Sequence, residues 1–393
     1  MEKIPKQKFH PNIILLGLAS GLNDISSEMI IPILPLLITK VGGGGIALGL
    51  IGGLRDSISN IFKFFFGYLS DKKKKRIKFI FTGYLISGIF RFLLIYVNNW
   101  HMILALIGLE RVGKSIRTAP RDALISQSIP DRMGRGFGVH RSMDTTGAIL
   151  GSLLVFFLIW RLDYSLSTII ITSAFIGIAS LIPLLWVKES SAQSSYEVYQ
   201  LKLNTFSSKF KVFTGIASVF SLANISYMFF MLRVLDSSKN GFTTPLLLYI
   251  MYNIVYSLLA VPMGIISDMI GRWKIMILGY TTFAVATLGF ALGGNLITFA
   301  LSFMLYGAAT AIIKVGHCSF ISDVSKPTQR ATALGIFDTT TGIITLIGGL
   351  IAGVLWEQIT HSMIFFYATG IALISVSLLF IMKPYLQVEP QDT

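Results

Sequence analysis

The chain has 393 residues, of which 53% are apolar and only 13% charged, with a formal net charge of +14 and a mean hydropathy of +0.70. That balance excludes a water-soluble domain as the frame for reading it. The apolar residues fall in runs near or above the roughly 20 needed to cross a bilayer core, cut by short polar turns. Twelve such runs are predicted, at 12–38, 46–69, 79–97, 101–126, 137–160 and 165–187, then at 212–235, 244–267, 275–292, 296–319, 331–356 and 362–382. The first is too long for a cleavable signal peptide and leads straight into a second crossing, so the mature chain is expected to begin near Met1.

Charge distinguishes these runs from inert anchors. The first holds Asp24 and Glu28, four residues apart and therefore on one helix face. Two carboxylates that close cannot both carry charge cheaply at low dielectric, which makes them candidates to load and release a proton. The alternative is a static ion pair between each and a base on a neighbouring helix. The second run carries Arg55, Asp56 and Lys63, and the third carries Arg91. The fourth presents Glu110, Lys114, Arg117 and Arg121 at helical spacing beside Arg111, with Asp122 near its end. In the fifth, His140, Arg141 and Asp144 precede Gly147 and Gly151, whose spacing allows close helix contact. An unpartnered ion near a helix centre costs roughly 2.5 to 3.5 kcal/mol, so these groups must face one another or a hydrated path.

Residues 188–211 are rich in Ser, Gln and Lys and read as a linker between halves, in which Tyr196, Tyr199, Leu203 and Phe206 approximate the stripe of a surface helix. Charge is sparser beyond it, with Lys314 and His317 in the tenth run and Asp338, Thr341 and Thr345 in the eleventh. Lys314 and Asp338 either line a cavity or pair with each other. Phe229, Phe230, Tyr249, Tyr252 and Tyr256 read first as packing or lipid-facing residues and second as pocket walls.

The two halves repeat. Gly67-Tyr68-Leu69-Ser70-Asp71, followed by Lys72, Lys75 and Arg76, returns 197 residues later as Gly264-Ile265-Ile266-Ser267-Asp268, followed by Gly271, Arg272 and Lys274. Gly138 and Gly335 share that offset. A duplicated membrane unit predicts an all-α integral membrane protein of twelve transmembrane helices in two pseudo-symmetric six-helix bundles, 1–187 and 212–393, joined by the linker 188–211. Basic residues concentrate on one side, at Lys3, Lys6, Lys8, Lys72–Arg76, Lys78, Arg121, Arg132, Arg135, Lys188, Lys202, Lys209, Lys211, Arg272, Lys274, Lys326, Arg330 and Lys383. The opposite turns hold only Lys40, Arg161, Arg233 and Lys239. The positive-inside rule then places both termini in the cytoplasm and accounts for the basic excess without nucleic acid.

The paired Gly-x-x-Ser-Asp motif, the twelve crossings and the central linker resemble the major facilitator superfamily across essentially the whole chain. Lys74 stands where a Gly is common in the first copy, and Trp273 where a base is usual in the second. The resemblance implies a gating role for Gly67, Asp71, Arg76, Gly264, Asp268 and Arg272. The glycines allow close helix approach, and each Asp sits at the cytoplasmic boundary where it can meet an Arg or a helix N-terminus. It also implies that Arg111 takes part in proton coupling, as in drug-exporting branches, although Lys114 and Ser115 replace the usual Gln and Gly. The stripe from Ser115 through Ala119 to Asp122 resembles efflux-like permeases. The Gly-Pro of many antiporters is absent, since Ser152 follows Gly151.

These readings predict a secondary transporter of the cell membrane, monomeric and without cofactor, that exports a small organic molecule in exchange for protons. Asp24, Glu28, Arg111 and Asp144 are the coupling candidates; Lys114, His140, Arg141, Lys314 and Asp338 are the cavity candidates. The basic residues equally suit uptake of an anionic metabolite. A receptor or scaffold on the same frame is the remote alternative. Cys318 is the only cysteine and no phosphate-binding loop is present, so neither a thiolate metal cluster nor ATP drive is expected.

Overall fold

The computed structural model describes residues 11–73, 75–128, 133–189, 206–238, 241–325 and 329–386, without the side chains of Asn60, Phe64, Asp71, residues 133–135 and Ala331. The predicted surface stripe at Tyr196, Tyr199 and Leu203, the bases Lys3, Lys6, Lys8, Lys74, Arg132, Lys202, Lys239 and Lys326, and the Asp71 and Arg135 side chains lie outside the described residues.

Every regular element described is helical. In order they are α1 (Pro11–Ile30), α2 (Leu34–Lys40), α3 (Gly45–Lys73), α4 (Arg76–Leu93), α5 (Trp100–Ser128), α6 (Met133–Trp160), α7 (Leu166–Ala179) and α8 (Ser208–Ala223). There follow α9 (Tyr227–Leu235), α10 (Thr243–Ile270), α11 (Arg272–Leu292), α12 (Leu296–Asp323), α13 (Arg330–Gln358), α14 (Met363–Ile381) and α15 (Lys383–Leu386). Among the described residues, ten helical segments are long and apolar enough to cross a membrane. The two missing from that set, α3 and α5, have 29 residues each. That is about 44 Å of helix, ample for a crossing, and it is their ionisable residues that lower their apolar character.

Two predicted crossings are interrupted. The first divides into α1 and α2 at residues 31–33, where Pro32 removes a backbone donor and its ring opposes helix continuation. The seventh divides into α8 and α9, and Ser226 caps the second piece by accepting a hydrogen bond from the Met228 N–H at 3.4 Å. The sixth shortens, α7 ending at Ala179 ahead of Pro183 and a 3-10 turn.

The helices gather into two compact units. One takes the described parts of 1–31, 62–96 and 109–197, the other those of 32–61, 97–108 and 198–393, so α3 and α5 contribute to both. In the first unit α1 packs along α6 and α7, and α4 along α7. A Cβ on Gly151 of α6 would lie 2.9 Å from Ile25 Cα and 3.0 Å from Glu28 Cβ, both on α1. Ser26 and Ser173 join α1 to α7 by donating to each other's carbonyls at 2.5 and 2.8 Å.

The second unit repeats the glycine contact. A Cβ on Gly348 of α13 would lie 2.9 Å from Leu222 Cα on α8, and Gly348 stands 197 residues after Gly151. Its apolar core is aromatic, with Phe230 ringed by Phe290, Phe303, Tyr306 and Phe365 at centroid distances of 4.4 to 6.5 Å. Phe229 and Phe230 are fully buried, in keeping with the packing role read from the sequence.

The glycine contacts predict a contrast. Gly151→Ala and Gly348→Ala force backbones apart and are expected to destabilise by about 1–3 kcal/mol each. Gly138→Ala and Gly335→Ala, where an added Cβ meets nothing within 4 Å, should be neutral or stabilising by up to about 1 kcal/mol. Thermal unfolding of the four variants in detergent checks both directions.

Candidate functional site

The polar site of the first unit is built on α5. Glu110, Lys114, Arg117 and Arg121 recur every three or four residues and so share a face. Glu110 is buried, accepts a hydrogen bond from Arg91 of α4 at 3.0 Å and forms an ion pair with Arg111 at 2.9 Å. Arg91 also donates to Ser26 Oγ and, at 3.5 Å, to Asn23 Oδ1, both on α1. One carboxylate thereby fastens three helices. Arg117 reaches α4, donating to Ser87 Oγ at 2.6 Å and to the Gly83 carbonyl at 3.4 Å while lying 4.4 Å over the Tyr84 ring. Arg121 pairs with Asp122 at 2.9 Å and donates to Ser20 Oγ at 3.1 Å.

Beside this network lies a second group that is less completely paired. Asp24 is within electrostatic reach of Asp144 on α6 and of Lys114, Arg117 and Arg121 on α5. Among the described residues, no hydrogen bond or ion pair holds the Lys114 ammonium, which lies in the fields of Arg111, Asp24, Arg117 and Glu110. Asp144 stands 3.4 Å from His140 Nδ1, and its Oδ1 has no hydrogen-bond partner among the described residues. The buried Tyr84 hydroxyl and His140 Nε2 likewise have none. Orphan polar atoms of this kind mark places where water or a ligand completes the bonding.

The sequence-predicted residues thus separate. Asp24, Arg111, Lys114, His140 and Asp144 belong to one polar region spread over α1, α5 and α6. Glu28 is half-buried beside Gly151, and the acid facing Asp24 from another helix is Asp144. Arg141 is exposed. In the second unit, Lys314 lies 5.6 Å over the Tyr256 ring with no carboxylate within 4.0 Å among the described residues, and Asp338 is half-buried on α13.

Of the residues expected from the sequence to act in gating, those whose side chains are described have local partners. Gly67 faces Ala119 Cβ, 3.1 Å from where its own Cβ would lie, and Gly264 faces Val315 at 3.8 Å. Arg272 binds Asp268 at 2.5 Å, Asp323 at 2.7 Å and Ser267 at 2.9 Å. The Arg76 and Ile77 N–H groups donate to the two oxygens of Glu189, at 2.8 and 3.2 Å, so that carboxylate caps α4. Asp323 and Glu189 are not among the residues that the sequence singles out. Asp323 ends a long apolar run and Glu189 opens the linker, positions where a charge needs no explanation until the fold brings its partner near.

Among the described residues no group of three or more His, Cys, Asp or Glu is placed to hold a metal ion. A family model for the Major Facilitator Superfamily matches residues 16–251 and 212–392. An uncharacterised MFS-type transporter of Methanocaldococcus jannaschii is 45% identical over 374 residues, 94% of this chain and 94% of its own. Multidrug resistance protein 2 of Bacillus subtilis is 35% identical over 127 residues, 31% of this chain and 30% of its own. The crystal structure of the nucleoside transporter NupG matches with a TM-score of 0.81 over 95% of this chain and 99% of its own at 15% identity, a likeness of fold alone.

Two ion pairs in different settings predict different costs. Glu110→Gln strands Arg91 and Arg111 in a buried site and is expected to destabilise by about 3–5 kcal/mol. Arg272→Gln removes a partly exposed pair and should cost no more than about 1 kcal/mol. Thermal unfolding of the purified variants separates the two.

Proposed function

The chain belongs to the major facilitator superfamily, and on that premise we propose a secondary active transporter that exports a small organic molecule across the cell membrane in exchange for protons. Its working parts are two six-helix halves, 1–187 and 212–393, joined by the linker 188–211, in a monomer with both termini in the cytoplasm. The repeated motif at Gly67 and Gly264 and the matched contacts of Gly151 and Gly348 support the division into halves. The basic residues of the inward turns support the orientation.

One observation carries the coupling: Asp24 and Asp144 share a buried region with Lys114, and their charges are not individually neutralised by close ion pairs as Glu110 is. A proton arriving on either acid changes the charge that Lys114 and Arg117 feel, and so changes which conformation is favoured. Arg111, bound to Glu110, holds that acid out of the exchange. The partial likeness to a multidrug resistance protein supports export. A second reading, uptake of an anionic metabolite, draws on the same Lys114: an ammonium with no carboxylate in ion-pair contact among the described residues is a ready anion contact.

Proteoliposomes with an internal pH indicator and an imposed pH gradient test the proposal, with ethidium, tetraphenylphosphonium and benzoate as cargo. Proton movement accompanying cargo movement is expected in the parent. Asp24→Asn and Asp144→Asn should each lower gradient-driven flux at least tenfold while cargo exchange at equal pH persists. Gradient-driven flux that survives in the double variant would overturn the coupling.

A further inference from the structure

The helix α10 has two faces of opposite character. Leu247, Ile254, Leu258, Val261 and Ile265 recur at helical spacing and are exposed, the stripe expected toward lipid. On the opposite side stand Tyr249, Tyr252 and Tyr256. Their rings form a ladder with centroids 5.8 and 6.4 Å apart and interplanar angles of 26° and 13°. Tyr227 of α9 extends it at 5.4 Å, and Tyr306 of α12 stacks on Tyr252 at 4.8 Å. Tyr249 is buried, whereas Tyr252 and Tyr256 keep part of their surface open.

Cations stand at both ends. The Arg55 guanidinium lies 5.3 Å from the Tyr227 centroid and pairs with Asp56 at 3.3 Å. The exposed Lys314 ammonium lies over Tyr256 at the other end and has no carboxylate within 4.0 Å among the described residues. Nearby on α10, the Asn253 Nδ2 is buried without a hydrogen-bond partner among the described residues.

The packed aromatic core holds near-parallel pairs too, Phe230–Tyr306 at 15° and Phe290–Phe365 at 24°, beside edge-on pairs at 80° and 82°, but Phe230 and Phe290 are fully buried and offer no open face. The tyrosines are close to parallel, and a parallel stack with open surface accepts a further ring. A cation already on the π-face repels a cationic ligand and attracts an anionic one.

We propose that Tyr252 and Tyr256 with Lys314 form a binding site for a planar aromatic anion, its ring stacked on the tyrosines and its anionic group on the lysine. Asn253 supplies a further donor. The inference rests on the reading of the chain as a carrier of small organic molecules and names the class of cargo.

The test is binding of naphthoate, cyclohexanecarboxylate and tetraphenylphosphonium to the full chain in detergent, measured calorimetrically. Naphthoate should bind about three- to tenfold more tightly than cyclohexanecarboxylate, which has the charge without the flat ring. Tyr252→Leu should abolish that preference and Tyr252→Phe should keep it, the latter also controlling for folding. Lys314→Gln should weaken both carboxylates about tenfold. Equal binding of the two carboxylates, a preference that survives Tyr252→Leu, or tighter binding of tetraphenylphosphonium would overturn the site. Naphthoate binding without flux in proteoliposomes would support the site and remove the transport reading. Flux of other cargo with no aromatic preference would do the reverse.

Discussion

A buried carboxylate shared by two guanidiniums sets the terms for the first unit. Placed alone in hydrocarbon, Arg91, Glu110 and Arg111 would each oppose insertion. Together, with Glu110 paired to them at 3.0 and 2.9 Å, they neutralise all but one charge, and Arg91 spreads the remainder over Ser26 and Asn23. The arrangement fixes where α1, α4 and α5 stand relative to one another. It also explains how α5 remains a membrane-length helix while carrying Glu110, Arg111, Lys114, Arg117, Arg121 and Asp122.

Small residues make that network reachable. A Cβ on Gly83 would lie 2.6 Å from the Gly113 carbonyl oxygen and 2.7 Å from Arg117 Cβ. Only because both positions lack side chains do α4 and α5 come close enough for Arg117 to bond Ser87 and cover Tyr84. Close backbone approach and polar satisfaction are one design here. A larger residue at Gly83 would pull the guanidinium from its acceptors, and a missing acceptor would leave the close crossing with an unsolvated charge.

Periodic and repeated features are legible in the sequence. Runs of apolar residues locate the crossings because lipid imposes a minimum length, and helical spacing alone puts Glu110, Lys114, Arg117 and Arg121 on one face. The breaks at 31–33 and 224–226 are less visible. Pro32 lies inside an otherwise unbroken apolar run, and nothing as strong as a proline marks Asn224–Ser226. Pairings across helices are hidden for a different reason. Along the chain the acid nearest Asp24 is Glu28, while its cross-helix neighbour Asp144 is 120 residues away and becomes adjacent only through the α1–α6 contact. Asp323 and Glu189 escape notice on the same ground: a charge at a helix end is ordinary until its partner arrives from elsewhere in the chain.

The duplication separates scaffold from chemistry. Gly151 and Gly348 occupy matching helix crossings at a fixed offset, so the repeat retains a place where backbones touch. The buried ions for the most part do not follow it. Lys314 matches Arg117 and Asp338 matches Arg141 at that offset, but Leu288 matches Arg91, Gly307 matches Glu110 and the buried Ala311 matches Lys114. A crossing of backbones constrains geometry and tolerates no side chain, so both copies keep glycine there. A polar site constrains charge, and a second set of buried ions would add its own desolvation cost without adding a second coupling step. On the proposed function, proton exchange is therefore concentrated on α1, α5 and α6, and the tyrosine face of α10 is left to select the cargo.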